Sequence, residues 1–508
     1  MRAPPKLVLC VIDALAPAML ERTVAAGAAP TLKALMDRGL YVPDCVAAFP
    51  SVTPVCAASI VTGTAPDAHE IPAMNWFHRE EDRYVEYGSS LRSAQRFGIA
   101  RQLTDTVYNM NRSHLSAQTP TVFEALDDAG VRTAGTTYLM YRGRHKHEPQ
   151  RDTAIARMAS ALLRHPVFGP RELFYADVFA SQRTSCRSNF GMPGVRDRHS
   201  GCVSAFMVEN DLFDFLLLSL PDNDWYSHKY GPEAQIQSIA QADVQLARVF
   251  DACGGVDEFL SEHAVIVMAD HSQTPVTSEI ALQDALADLG VLAPSRSRAA
   301  REDGPRIAVC PSQRSAAVYA LHASERDAMR ASVVANAMAI AGIEHVIWLG
   351  RDAHDVPTEG IIARPGRGEL RFSPQGPLQD ARGGSWSVEG ELAVLDATIE
   401  DGRLLTPAYP DVLARVWSAL RCRTSGEVLL SAAPGHEFID WGRQAHVGGG
   451  SHGSLHSSDS LGALVLCGVG AAVPDLEQWS IRDVAPLVLG HFGLERNGGP
   501  GPARRSRT

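Results

Sequence analysis

Apolar runs that stop abruptly at acidic residues set the rhythm of this sequence. Leu7-Val8-Leu9-Cys10-Val11-Ile12 ends at Asp13, the run Asp214 to Leu220 leads straight into Pro221-Asp222-Asn223-Asp224, and Ala264 to Ala269 ends at Asp270-His271. Short continuous apolar runs bounded by turn residues predict buried strands. Between them the period changes to that of amphipathic helices: Ala16 to Arg38, with Pro30 and Thr31 opening a second helix, Thr121 to Gly130, which stops at a glycine, and Glu233 to Cys253. A strand over Val131 to Tyr138 follows the second of these. Further on, strands are predicted at Ala316 to Leu321, His345 to Leu349, Glu427 to Ser431 and Ala463 to Cys467, with helices at Tyr409 to Leu420 and Ser480 to Phe492. This alternation is that of an α/β protein with helices packed on a sheet.

Two stretches break the alternation. Residues 145–205 carry Arg, His, Ser and Gly without periodicity and read as an insertion or lid. Residues 351–408 are rich in Gly and Pro with short alternating runs, and read as a small inserted β-rich subdomain. The catalytic domain is then expected over 1–350 and 409–495, with 295–305 a polar connection and 496–508 a disordered tail.

Composition narrows the picture without changing it. The 508 residues are 45% hydrophobic and 21% charged, as in ordinary globular enzymes. A formal net charge of -11 argues against a surface that holds a nucleic-acid polymer non-specifically, so phosphate recognition is expected to be local. Nine cysteines are scattered without CxxC pairs, several inside apolar runs, which predicts reduced core thiols and a cytoplasmic location. No run of ~18 apolar residues spans a bilayer, so no membrane partner is expected.

The chemistry clusters at the ends of the apolar runs. Carboxyl ends of parallel strands are where open sheets place ligand-binding groups. Asp13, Asp224 with His228, Asp270 with His271, and His452 or His456 in the run Gly448-Gly449-Gly450-Ser451-His452-Gly453-Ser454-Leu455-His456 supply the oxygen and nitrogen donors that hold divalent ions. Each alone is ordinary: an aspartate can cap a helix, and a histidine in a glycine-rich loop can face solvent. Together they suit two ions clamping an in-line displacement at phosphorus. Thr53, directly before Pro54, reads as the N-cap of a helix, a place that also favours an anion and can present a nucleophilic hydroxyl. Trp76 lies in the aromatic, turn-rich segment His69 to His78, which can line a pocket.

These motifs resemble the nucleotide pyrophosphatase/phosphodiesterase branch of the alkaline phosphatase superfamily, over roughly residues 5–290 and 425–492. The residues that carry the resemblance are Asp13, FPSVTPVCAASIVTG at 49–63, PDNDWYSHKYGP at 221–232, MADHS at 268–272, SHG at 451–453 and IRDVAPLVLGHFGL at 481–494. The resemblance implies a three-layer α/β sandwich with a mostly parallel central sheet, and a small-molecule phosphate ester as substrate. It makes Thr53 the nucleophile, carried through a phosphothreonine. Asp13, Thr53, Asp270 and His271 would bind one divalent ion and Asp224, His228 and His452 the other, with zinc expected and manganese, magnesium or iron as alternatives. His456 would then face the substrate. Two departures stand out: Cys56 occupies the substrate-side position where relatives carry an asparagine that holds a phosphoryl oxygen, and Ser272 replaces a glycine. Sulfatases share the segment but need cysteine at the nucleophile position, then proline two and arginine four residues on. Thr53, Val55 and Ala57 exclude them.

Overall fold

A computed structural model describes residues 4–150, 163–187, 196–294, 304–352, 356–470 and 473–494. The expected tail at 496–508 and most of the 295–305 connection lie outside the described residues. The strand Lys6–Ile12 occupies the middle of an eight-stranded sheet, paired in parallel with Phe215–Leu220 on one side and His263–Met268 on the other. Its residues alternate faces as strand geometry requires. Leu7, Leu9 and Val11 enter one apolar cluster with the helices Thr53–Thr62, Val122–Asp128 and Val484–His491. Val8, Cys10 and Ile12 enter the opposite cluster with Pro17–Ala25, Pro30–Arg38, Arg196–Glu209 and Gln235–Asp251. The unbroken apolar run Leu7 to Ile12 is therefore one sandwiched between two helical layers. Each fully buried leucine there contributes about 1.5–3 kcal/mol by leaving water.

The sheet is mixed rather than mostly parallel. Parallel pairing runs through its middle, from His263–Met268 across to Glu172–Tyr175. Leu461–Cys467, Leu40–Val46 and Phe179–Ala180 add antiparallel pairs toward the two edges. The strand Glu172–Tyr175 and the helix Arg196–Glu209 both come from the 145–205 stretch, so part of what reads as an insertion extends the main sheet and covers its face. Short polar stretches there hid both elements from periodicity. The strands of 351–408 likewise do not stand apart. Pro357–Arg364 pairs with Ile343–Arg351, and Gly368–Gln379 follows, within a second, nine-stranded sheet that also holds Ile307–Ser312, Ser315–Ala320 and Val428–Ala432.

One expectation about the cysteines is overturned. Cys186 and Cys202 form a disulfide across 16 residues, tying the helix Arg196–Glu209 to the chain before it. That spacing carries no motif, so only the fold brings the pair together. The other seven are free thiols, as expected, all buried except the half-buried Cys253. Among the described residues no helix is long and apolar enough to cross a membrane.

Candidate active site

The three neighbouring parallel strands end at one edge of the sheet, and each hands its acidic residue to that edge. Asp13 follows Ile12 and donates its backbone N–H to the Leu220 carbonyl at 3.1 Å. Asp270 and His271 follow the strand His263–Met268. The segment after Leu220 is a helix, Asp222–Tyr230, not an extended turn, and it places Asp224 and His228 one turn apart on one face. The fourth contributor comes from far along the chain. Ser451 and Gly450 pair antiparallel with Thr274 and Pro275, which sets His452 beside His271 with the rings stacked at 3.7 Å.

Glycine makes that approach feasible. A side chain on Gly449 would stand 1.9 Å from the His228 carbonyl oxygen, and one on Gly450 2.5 Å from Gln273 Oε1. The glycine-rich loop thus presses its backbone directly onto the helix that carries Asp224 and His228.

Two donor groups result, each with its ligand atoms within 4.8 Å of one another: Asp13, Asp270 and His271, and Asp224, His271 and His452. His271 Nε2 stands 3.6 Å from Asp13 Oδ1 and 3.4 Å from Asp270 Oδ2. His452 Nε2 stands 3.6 Å from Asp224 Oδ1, and His228 Nε2 lies 3.4 Å from Asp224 Oδ2. Thr53 Oγ1 is 3.2 Å from His271 Nε2. Thr53 is the first residue of its helix rather than the cap. Val52 takes the cap position, and the threonine hydroxyl points to the histidine instead of bonding a backbone N–H.

The residues fit divalent ions. His228, His271 and His452 each direct Nδ1 at a backbone carbonyl, of Gly450 at 2.8 Å, Ser272 at 3.2 Å and Ser51 at 2.7 Å. A carbonyl only accepts, so Nδ1 carries the proton and every Nε2 lone pair faces the cluster. Asp13 Oδ1, Asp270 Oδ2 and His452 Nε2 are buried with no hydrogen-bond partner. Asp270 meanwhile spends its other oxygen on the N–H groups of Ala14 and His271. Burial and then the Asp270 and Asp224 carboxylates push the Asp13 carboxyl well above its usual range, the repulsion that bound cations relieve. Burial also tends to raise Asp224, but His228, with Nε2 3.4 Å from the carboxylate, outweighs it and holds the carboxyl low. His452 is held well below the usual imidazole value by burial and by His271, so it stays neutral and able to ligate.

The remaining expected site residues belong to neither donor group. Cys56 is fully buried in the core cluster, where burial drives its thiol well above the usual value and leaves it protonated. Trp76 is buried edge-on to His114, 5.1 Å between ring centroids, and belongs to neither donor group. His456 caps the short helix Ser457–Ser460 by accepting from the Ser458 N–H, so His452 is the histidine that the fold brings to the cluster.

Sequence reading missed the supporting residues. Gln273 donates to the Asp224 carboxylate at 2.5 Å and to its carbonyl at 3.1 Å. Ser51 accepts from the Gly453 N–H at 3.1 Å and donates to the Ser454 carbonyl at 3.0 Å, stitching the Thr53 loop to the His452 loop. Gln273 does lie two residues past His271, a signal available in the sequence, whereas the partner of Ser51 is about four hundred residues away.

Residues 7–352 match the type I phosphodiesterase / nucleotide pyrophosphatase family. The chain belongs to that family. Membership places it among phosphoric ester hydrolases of the alkaline phosphatase superfamily. The phosphonoacetate hydrolase of Sinorhizobium meliloti 1021, solved in complex with phosphonoformate, is a similar structure: it covers 97% of each chain at TM-score 0.53 and 18% identity. At that identity the likeness speaks to the fold. No curated protein matches the chain.

Proposed function

We propose that this chain is a two-metal hydrolase that cleaves a phosphodiester or nucleotide pyrophosphate bond of a small molecule through a phosphothreonine on Thr53. Asp13, Thr53, Asp270 and His271 would hold one ion and Asp224, His228 and His452 the other. This mixture of carboxylate and imidazole donors suits zinc, with manganese, magnesium or iron as substitutes. Bound ions would supply Lewis acidity, favouring the Thr53 alkoxide and neutralising phosphoryl oxygens.

The protein's own part is position. The start of the helix Thr53–Thr62 fixes the hydroxyl at the ring that both donor groups share. Thr53 Oγ1 forms its bond to phosphorus as the bond to the leaving alcohol or nucleotide breaks. Water then displaces Oγ1 and restores the threonine. The observation that carries this reading is the 3.2 Å approach of Thr53 Oγ1 to His271 Nε2.

The test pairs metal analysis of the purified protein with hydrolysis of bis-(p-nitrophenyl) phosphate and p-nitrophenyl phosphate by wild type and Thr53→Ala. Loss of diester turnover in the variant, with metal retained, is expected. Normal turnover by Thr53→Ala would sink the mechanism, and metal without any turnover in wild type would favour a binding role. The second reading is a phosphonate hydrolase, favoured by the activity named for the similar structure. Phosphonoacetate cleaved faster than either ester would select it, and faster monoester cleavage would select a phosphomonoesterase. A cytoplasmic location is not part of the proposal, because the Cys186–Cys202 bridge removes the ground on which it stood.

A further inference from the structure

Tyr138 has a buried hydroxyl with no hydrogen-bond partner. A buried polar group left unpaired costs about 1–3 kcal/mol, so it calls for an explanation. Its place in the fold offers one. Gly135, three residues earlier, pairs in register with Leu217. Three residues beyond Leu217 is Leu220, whose carbonyl accepts from the Asp13 N–H. The chain leaving this strand therefore emerges at the same edge of the sheet as Asp13, and the Tyr138 ring packs in the same apolar cluster as Cys56. After burial, the groups that act on the hydroxyl are Asp270, Asp13 and Cys56, and together they push it well above the usual phenol value and keep it protonated. It is a donor without an acceptor, beside carboxylates that make no hydrogen bond to it.

We infer that Tyr138 donates a hydrogen bond to a non-bridging phosphoryl oxygen of the substrate, the work for which the thiol of Cys56 is too weak a donor. The inference rests on reading the cluster as a phosphoryl-transfer centre. The acceptor that the protein does not supply arrives with the ligand. A neutral phenol gives the oxygen a directed bond without adding charge to a site already meant for two cations.

The experiment uses full-length, zinc-loaded wild type and Tyr138→Phe. It measures inorganic phosphate affinity by calorimetry, metal content, melting temperature and ester turnover. Tyr138→Phe is expected to keep its metal and its melting temperature, to bind phosphate about tenfold more weakly, and to lose about 10²-fold in kcat/KM. Equal phosphate affinity in the two proteins overturns the inference, as does loss of metal from the variant, which would make Tyr138 a support of the ligands. Tyr138→Met serves if the phenylalanine variant does not fold. If wild type hydrolyses no ester yet the phosphate difference holds, the proposed reaction fails and the Tyr138 contact stands. Failure of wild type to bind phosphate overturns both.

Discussion

Removing the Asp459 carboxylate should loosen the His452 loop and destabilise the whole protein, because among the described residues Asp459 is the sole carboxylate that bonds the buried Arg314 guanidinium. The pair is 0% exposed on both sides. Arg314 also donates to the carbonyls of Ala433 and His436 at 3.0 and 3.1 Å, and its backbone N–H donates to the His452 carbonyl at 2.9 Å. Asp459 accepts from the Ser454 N–H at 2.9 Å and from Thr274 Oγ1 at 2.7 Å. Breaking a buried pair by deleting one partner leaves an uncompensated charge and costs about 3–5 kcal/mol. Set against a typical domain stability of about 5–15 kcal/mol, that is about a fifth or more of the total. Asp459→Ala should therefore lower the urea midpoint sharply and reduce bound metal. The double variant Arg314→Met, Asp459→Leu, which buries no charge, should recover more than half of the loss. A cost under about 1 kcal/mol for the single variant, or a double variant no more stable than the single, would refute the reasoning.

Three other outcomes are expected. Gly449→Ala forces the loop away from the His228 carbonyl, which a methyl group would approach to 1.9 Å, so metal content measured by elemental analysis should fall while the melting temperature drops only modestly. Gln273→Ala leaves the Asp224 carboxylate without its 2.5 Å donor, and metal affinity should weaken about 10–100-fold in a chelator competition. His69, fully buried, accepts from the Ile71 N–H at 3.1 Å and donates to Ser59 Oγ at 3.1 Å; burial lowers it from 6.5 to about 3. Between those values the unfolded chain binds the proton that the folded one refuses, so stability is present above pH 6.5 and is lost as pH falls toward 3, by about 1.4 kcal/mol per unit from this one group. His69→Gln should flatten urea-derived stability between pH 6.5 and 4.5 by about one proton, and an unchanged slope would count against the burial argument.

The edge that gathers the two donor groups was legible because its parts obey local rules. Asp13, Asp270 and His271 each follow a continuous apolar run, and Asp224 and His228 share a helical spacing. Thr53 was legible as a residue but not in its exact placement, since a threonine before proline fits the cap and the first helical position equally well. What escaped depends on distant pairing. Ser51, Tyr138 and the Arg314 pair with Asp459 acquire meaning only when segments far apart in the sequence meet. The true extent of the two sheets was hidden for the same reason: a four-residue strand such as Glu172–Tyr175, or strands such as Pro357–Arg364 with charged and glycine positions, show little period of their own and are held by their neighbours.

The strand Leu461–Cys467 lies between Leu40–Val46 and His263–Met268, antiparallel to both. During synthesis the main sheet therefore has an open slot until residues 461–467 have emerged. The exposed edges of its two future neighbours must wait unpaired meanwhile, the condition in which chains associate with one another. This architecture makes folding slow to start and late to finish, because its decisive contacts join residues near both ends. Recovery of active protein should thus depend more on chain concentration and temperature during refolding than on the stability of the finished fold.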